Sequence, residues 1–142
     1  RPVMLCLSDV QPQPIRWLWP GRIPLGKLTM IQGDAGLGKS LATLDIAARV
    51  STGRPWPDAP EAANTNGGVV LLNAEDDLGD TIRPRLDAAG ADADRIICLD
   101  AVIRSGARND TPSSFCLTVD MAALETAIQK NAELPTRGCR SP

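Results

Sequence analysis

The chain has 142 residues, with 17 acidic and 15 basic side chains, a net charge of −2 and no histidine. That length fits one small domain, and the charge balance excludes a polybasic chain that grips nucleic acid by bulk attraction, so any such contact needs a local patch. The missing histidines exclude imidazole metal sites, imidazole general bases and Ser-His-Asp triads, and no apolar run approaches the ~20 residues of a membrane span.

Residues 1–24 hold five Pro and two of the three Trp. They read as an irregular, partly extended lead-in with a turn at Pro20-Gly21. A second turn at Leu25-Gly26-Lys27 precedes a short apolar strand, Leu28–Gln32. Gly33 to Gly38 is a glycine-rich loop. From Lys39 a helix is expected, with Leu41, Leu44, Ala47, Ala48 and Val50 recurring at the helical period and Gly53 as its stop. Residues 54–68 have three Pro, two Gly and no periodicity, and read as a loop and the most disordered stretch. Val69–Asn73 is an apolar run suited to a strand in a parallel sheet. A helix near Leu78–Ala89 follows, restricted by Pro84 and ended by Gly90. Arg95–Leu99 is a third strand, residues 100–114 a polar loop, and Phe115-Cys116-Leu117 an extended edge. Asp120 then caps a helix through Met121, Leu124, Ala127 and Ile128.

Strand and helix thus alternate three times, the pattern of an α/β fold with a mostly parallel sheet and flanking helices. Cys6, Cys98, Cys116 and Cys139 form no C-x-x-C pair, and Cys98 and Cys116 read as small buried hydrophobes. A reduced, cytoplasmic setting is expected. No signal peptide is visible. The first residue is Arg rather than Met, so the sequence reads as a piece of a longer chain.

Gly33-Asp34-Ala35-Gly36-Leu37-Gly38-Lys39-Ser40 matches G-x-x-x-x-G-K-[ST], with an apolar run before it and an amphipathic pattern after it. Glycines let such a loop wrap so that successive backbone N–H groups face phosphate oxygens. The start of the following helix, Lys39 to Leu41, adds partial positive charge. Lys39 would reach the β- and γ-phosphates of a bound nucleotide, and the Ser40 hydroxyl would ligate Mg²⁺. A glycine-rich turn ahead of a helix is the bland alternative, and it leaves the full eight-residue match unexplained.

A second site is Asn73-Ala74-Glu75-Asp76-Asp77, at the end of the second expected strand, where ligands bind in open α/β sheets. Glu75 there can orient and deprotonate an attacking water. Otherwise Glu75, Asp76 and Asp77 form a solvated cap on the next helix, the expected role of the latter two.

The loop at Gly33–Ser40, the strand ending Leu72-Asn73-Ala74-Glu75-Asp76-Asp77, and Thr81-Ile82-Arg83-Pro84-Arg85-Leu86 together resemble the RepA-like branch of RecA-type P-loop ATPases. These are the motors of plasmid- and phage-type replicative helicases, related to DnaB and KaiC. The lead-in Trp17–Leu28 is also similar to that group, and the resemblance covers about residues 14–130. It implies a RecA-like P-loop NTPase fold, ATP and Mg²⁺ as cofactors, Glu75 as catalytic base and Arg85 as an arginine near the active site. Arg85 otherwise pairs with Asp87 or the loop acids. Trp17 and Trp19 line an adenine pocket or a subunit contact, or cover the sheet edge. For a complete relative it implies a hexameric ring and single-stranded DNA as partner, the latter not through these residues.

That pattern next demands an apolar strand ending in Asp after the last helix. Residues 131–142 provide none, Asp100 comes too early, and Asp120 suits a cap. The domain reading is therefore a lead-in at 1–24, the N-terminal part of a RecA-like ATPase domain at 25–130, and a tail at 131–142 foreign to the pattern. Loss of pattern after Gln129 reads as truncation or a shifted frame. By itself the segment is expected to bind nucleotide without completing a cycle. A KaiC- or RadA-like regulatory or repair ATPase, and a nucleotide-binding remnant, are the alternatives to a helicase motor.

Overall fold

The computed structural model describes residues 3–61, 66–73, 76–100, 102–103, 112–113 and 115–133, with backbone alone at 102–103 and 112–113. Contacts divide the chain into two units, Arg1–Ile31 and Gln32–Pro142. Among the described residues no helix is long and apolar enough to cross a membrane.

In the first unit the lead-in contains a β-hairpin. Strand β1, Trp17–Trp19, pairs antiparallel with β2, Ile23–Pro24, and the register shifts between Trp17 and Trp19. The Arg22 N–H donates to Trp19 O at 2.9 Å across the turn, and the Leu25 N–H donates to Arg16 O at 2.8 Å at the open end. Gly21 takes φ +70°, a conformation that costs a residue without Cβ nothing. Leu28–Gln32, by contrast, is not a strand. Leu28 is 91% exposed and Met30 78%. An apolar run becomes a strand only when a neighbour takes up its N–H and C=O groups, and the described sheets pair other segments.

In the second unit helix α1 spans Lys39–Thr52 and ends at Gly53, whose φ of +74° and N–H bond to Arg49 O close the last turn. Its buried face is Leu44, Ala47, Ala48 and Ser51, while Leu41 is exposed. Ser51 is accommodated because its hydroxyl donates to Ala48 O at 2.9 Å and accepts the Asp92 N–H at 3.0 Å. Residues 54–61 hold more structure than their composition predicts. Trp56 is 1% exposed and bridges to Ala59. Arg49 binds Pro55 O, and Arg54 reaches Ala89 O at 2.5 Å.

Strand β3, Val69–Leu72, turns through a π-helical segment, Leu78–Ile82, into the short helix α2, Arg83–Ala88. Pro84 falls in the first turn of α2, where its missing N–H is not needed. It therefore divides the expected helix instead of kinking it. Strand β4, Ile96–Leu99, pairs parallel with β3, Val69 opposite Ile96 through Leu72 opposite Leu99. Two short strands, β5 at Val102–Ile103 and β6 at Pro112–Ser113, form an antiparallel pair within the stretch expected to be loop. Helix α3 spans Met121–Ala132.

The parallel pair sits between helices. Val69, Leu71 and Ile96 pack with Leu44 and Ala47 of α1 and with Ile82 and Leu86. Val70, on the opposite face by strand alternation, lines a cleft with Leu124, Ile128 and Ala132 of α3. Two expectations before α3 fail. Phe115–Leu117 is not extended, because Val119 and Asp120 fold back to bond Cys116 O, and Cys116 is exposed. The buried Asp120 sits at the N-cap, but its carboxylate accepts the Cys116 N–H at 2.7 Å rather than a helix N–H. At the other end of α3, the buried Asn131 donates from Nδ2 to Val69 O at 2.9 Å and Arg95 O at 3.2 Å.

Asp77 caps the π-helical segment. The N–H groups of Asp80 and Gly79, at 3.0 and 2.7 Å, hold its carboxyl below the ordinary range. Such a group adds stability that is complete above its unfolded pKa of about 3.9 and is lost as pH falls through the depressed folded value. Asp77→Asn is therefore expected to flatten the acid limb of stability against pH. Denaturant midpoints measured from neutral pH down to about pH 3 test this, and parallel curves would refute it.

Candidate nucleotide-binding site

The loop Gly33–Ser40 is shaped by glycine where the backbone requires it, with Gly36 and Gly38 both at φ +80°. Gly38 is also the N-cap of α1. It offers no side chain to the first-turn N–H groups, which lack intrahelical acceptors, and that turn carries no acid. The result is an electropositive helix start, suited to an anion. Lys39, half-buried, folds back over the loop, and its Nζ donates to Gly33 O at 2.8 Å and Asp34 O at 2.6 Å. Asp34, Ala35, Leu37, Ser40 and Leu41 are exposed.

A cavity of about 210 Å³ joins this helix start to the end of β3. Ser40, Thr43 and Leu44 line it from α1, Leu71, Leu72 and Asn73 from β3 and its exit, and Asp76 and Ile82 from the following segment. The structure thus brings Ser40 and Asp76 to one cavity. Ala74 and Glu75 lie outside the described residues. Their two neighbours are tied together: Asn73 Nδ2 donates to Asp76 O, and the Asp76 N–H donates to Asn73 Oδ1 at 3.4 Å.

Of the two partners considered for Arg85, the structure supplies the loop acid. Arg85 lies 3.6 Å from Asp76 Oδ2, while Arg83 takes Asp87 at 2.8 Å. Both ions of the Arg85–Asp76 pair are more than one-third exposed, so the pair positions more than it stabilises. Asp76 is therefore a partner of Arg85 rather than the helix cap expected of it. Asn73 and Thr43 are cavity residues that motif reasoning passed over. The available signal for Thr43 was its i+3 spacing from Ser40 on one helix. Asp100 is exposed just beyond β4, and the Leu72–Leu99 register sets it at the same sheet end as Asn73. Burial, and then the nearby Asp100 charge, push the Cys98 thiol up. Among the described residues no group of three His, Cys, Asp or Glu can hold a metal.

No curated protein and no solved structure matches the chain. A family model described as AAA domain does, over residues 3–136. With a glycine-rich loop at the head of α1 and its lysine folded back over it, that match over nearly the whole chain means that the protein belongs to the AAA domain family of nucleotide-binding P-loop ATPases.

Proposed function

We propose that this chain binds ATP with Mg²⁺ at Gly33–Ser40, as part of a RecA-like ATPase of the RepA-like, replicative-helicase kind. The observation that carries the reading is the single cavity on which Ser40 of α1 and Asp76 beyond β3 converge. In this reading Lys39 leaves the carbonyls of Gly33 and Asp34 for the β- and γ-phosphates, and loop N–H groups take the remaining oxygens. The Ser40 hydroxyl is a hard oxygen donor of the type Mg²⁺ accepts, and Asp76 lines the same cavity. Bound there, Mg²⁺ would neutralise phosphate charge. Glu75 is the general base for an attacking water, and Arg85, which contacts Asp76, is an arginine near the active site. A hexameric ring belongs to the same helicase-type reading.

Calorimetric titration of the chain with ATP and Mg²⁺, followed by a phosphate-release assay, tests this. Binding with release near background is expected, because the sequence offers no apolar strand ending in Asp after α3. Glu75→Gln is expected to bind with unchanged affinity, since the amide keeps the shape and loses only the base. Absence of binding refutes the proposal. Rapid release would give Asp100 the role of the strand-end acid.

A further inference from the structure

A second cavity of the same unit, about 150 Å³ in volume, lies between the β3–β4 pair and α2. Leu71 and Ile96 line it from the sheet, and Leu78, Ile82 and Leu86 from the π-helical segment and α2. Among the described residues Cys98 and Arg83 supply its only side-chain heteroatoms. Cys98 stands opposite Leu71 in the strand register and is half-buried, and its raised thiol stays uncharged at neutral pH. Arg83, with its side chain 60% exposed, stands at the rim, and its Nε donates to both Asp87 carboxylate oxygens at 2.8 and 2.9 Å. The cation is thus already matched, and the wall calls for no charge in an occupant. Leu71 and Ile82 also line the Ser40–Asp76 cavity, so the two spaces share a wall.

We propose that this cavity binds a small uncharged aromatic molecule, a single ring of benzene size, seated between α2 and the β3–β4 pair. Volume sets the size: a cavity of about 150 Å³ lined by Leu and Ile takes one benzene. Lining sets the polarity. A bound water needs 2–4 polar partners, which one thiol and one engaged guanidinium supply poorly. Sulfur and guanidinium both attract an aromatic ring, which favours a ring over an aliphatic molecule of equal size. A purine base is excluded on both counts, since it has two rings and a polar edge that these side chains leave without partners. The proposal stands apart from the ATP reading, because it invokes neither Gly33–Ser40 nor Asp76.

The test is thermal melting of the whole chain, without nucleotide, in benzene and in cyclohexane as the aliphatic control. A saturable rise in Tm with benzene and a smaller one with cyclohexane are expected. Ala93→Leu, at a position lining this cavity and not the other, should abolish the benzene response by filling the space. A second measurement needs no variant. Alkylation of Cys98 by N-ethylmaleimide, mapped by mass spectrometry, should slow about tenfold with benzene at ten times its Kd, because about one molecule in eleven is then empty. The exposed Cys6 should keep its rate. No rise in Tm with benzene, an equal rise with cyclohexane, or an unprotected Cys98 would overturn the proposal. So would a folded Ala93→Leu variant with an undiminished response, or displacement of benzene by ATP, which would make the cavity part of the nucleotide site.

Discussion

Lys39→Ala is expected to lower affinity for a fluorescent ATP analogue by at least about a hundredfold and to leave the fold in place. The ammonium makes charge-assisted bonds, each worth about 1.5–3 kcal/mol. Two of them moved onto phosphate oxygens account for the ratio, since 1.4 kcal/mol is a factor of ten. Lys39 Nζ donates to Gly33 O and Asp34 O, so the ammonium stands over the loop at which it would meet the phosphates. Lys39 is not among the residues of the hydrophobic core. Anisotropy titration gives the affinity and circular dichroism melting gives the fold. An unchanged affinity would remove the phosphate-binding assignment from this loop.

The largest effect on stability is expected from Gly68→Ala. A methyl group there would coincide with the side-chain amide of Asn131. The backbone of Gly68 is not in the left-handed region, so the constraint is space alone. Asn131 cannot yield freely, because its Nδ2 already bonds Val69 O and Arg95 O. Overpacking costs about 1–3 kcal/mol, and each displaced hydrogen bond adds about 1 kcal/mol. A loss of roughly 2–4 kcal/mol should appear as a lower denaturant midpoint. Asn131→Ala alone should also destabilise, but the double variant should lose less than the sum of the two, because the methyl then has room. Strict additivity would show that the two residues do not share this space.

The glycine turns of the loop, α1, its Gly53 stop and the strands β3 and β4 were all legible from local pattern, because each is encoded by neighbours in sequence. Failures came where a distant partner decides. Leu28–Gln32 has the composition of a strand, but composition supplies no hydrogen-bonding neighbour. The 54–61 segment looked unstructured because three Pro and no periodicity say nothing of where Trp56 is buried. The hairpin at Trp17–Pro24 was hidden by its prolines, which an edge strand tolerates. Around the cavity, the turns at Gly36 and Gly38 and the helix start at Lys39 were readable from the motif. The Asn73–Asp76 clasp and the Asp76–Arg85 pair depend on side-chain geometry that no spacing rule contains.

The double bond of Asn131 has a further consequence, for how β3 and β4 find one another. Val-Val-Leu-Leu and Ile-Ile-Cys-Leu are apolar at every position, so sliding one strand by a single residue would put no polar side chain in the wrong layer. The usual safeguard of alternating patterns is absent. Such a slip would, however, carry Arg95 O about 3.3 Å along the strand axis, out of reach of an amide that also holds Val69 O. The alignment of the sheet is thus written outside it, in one residue near the end of α3, 62 positions from Val69.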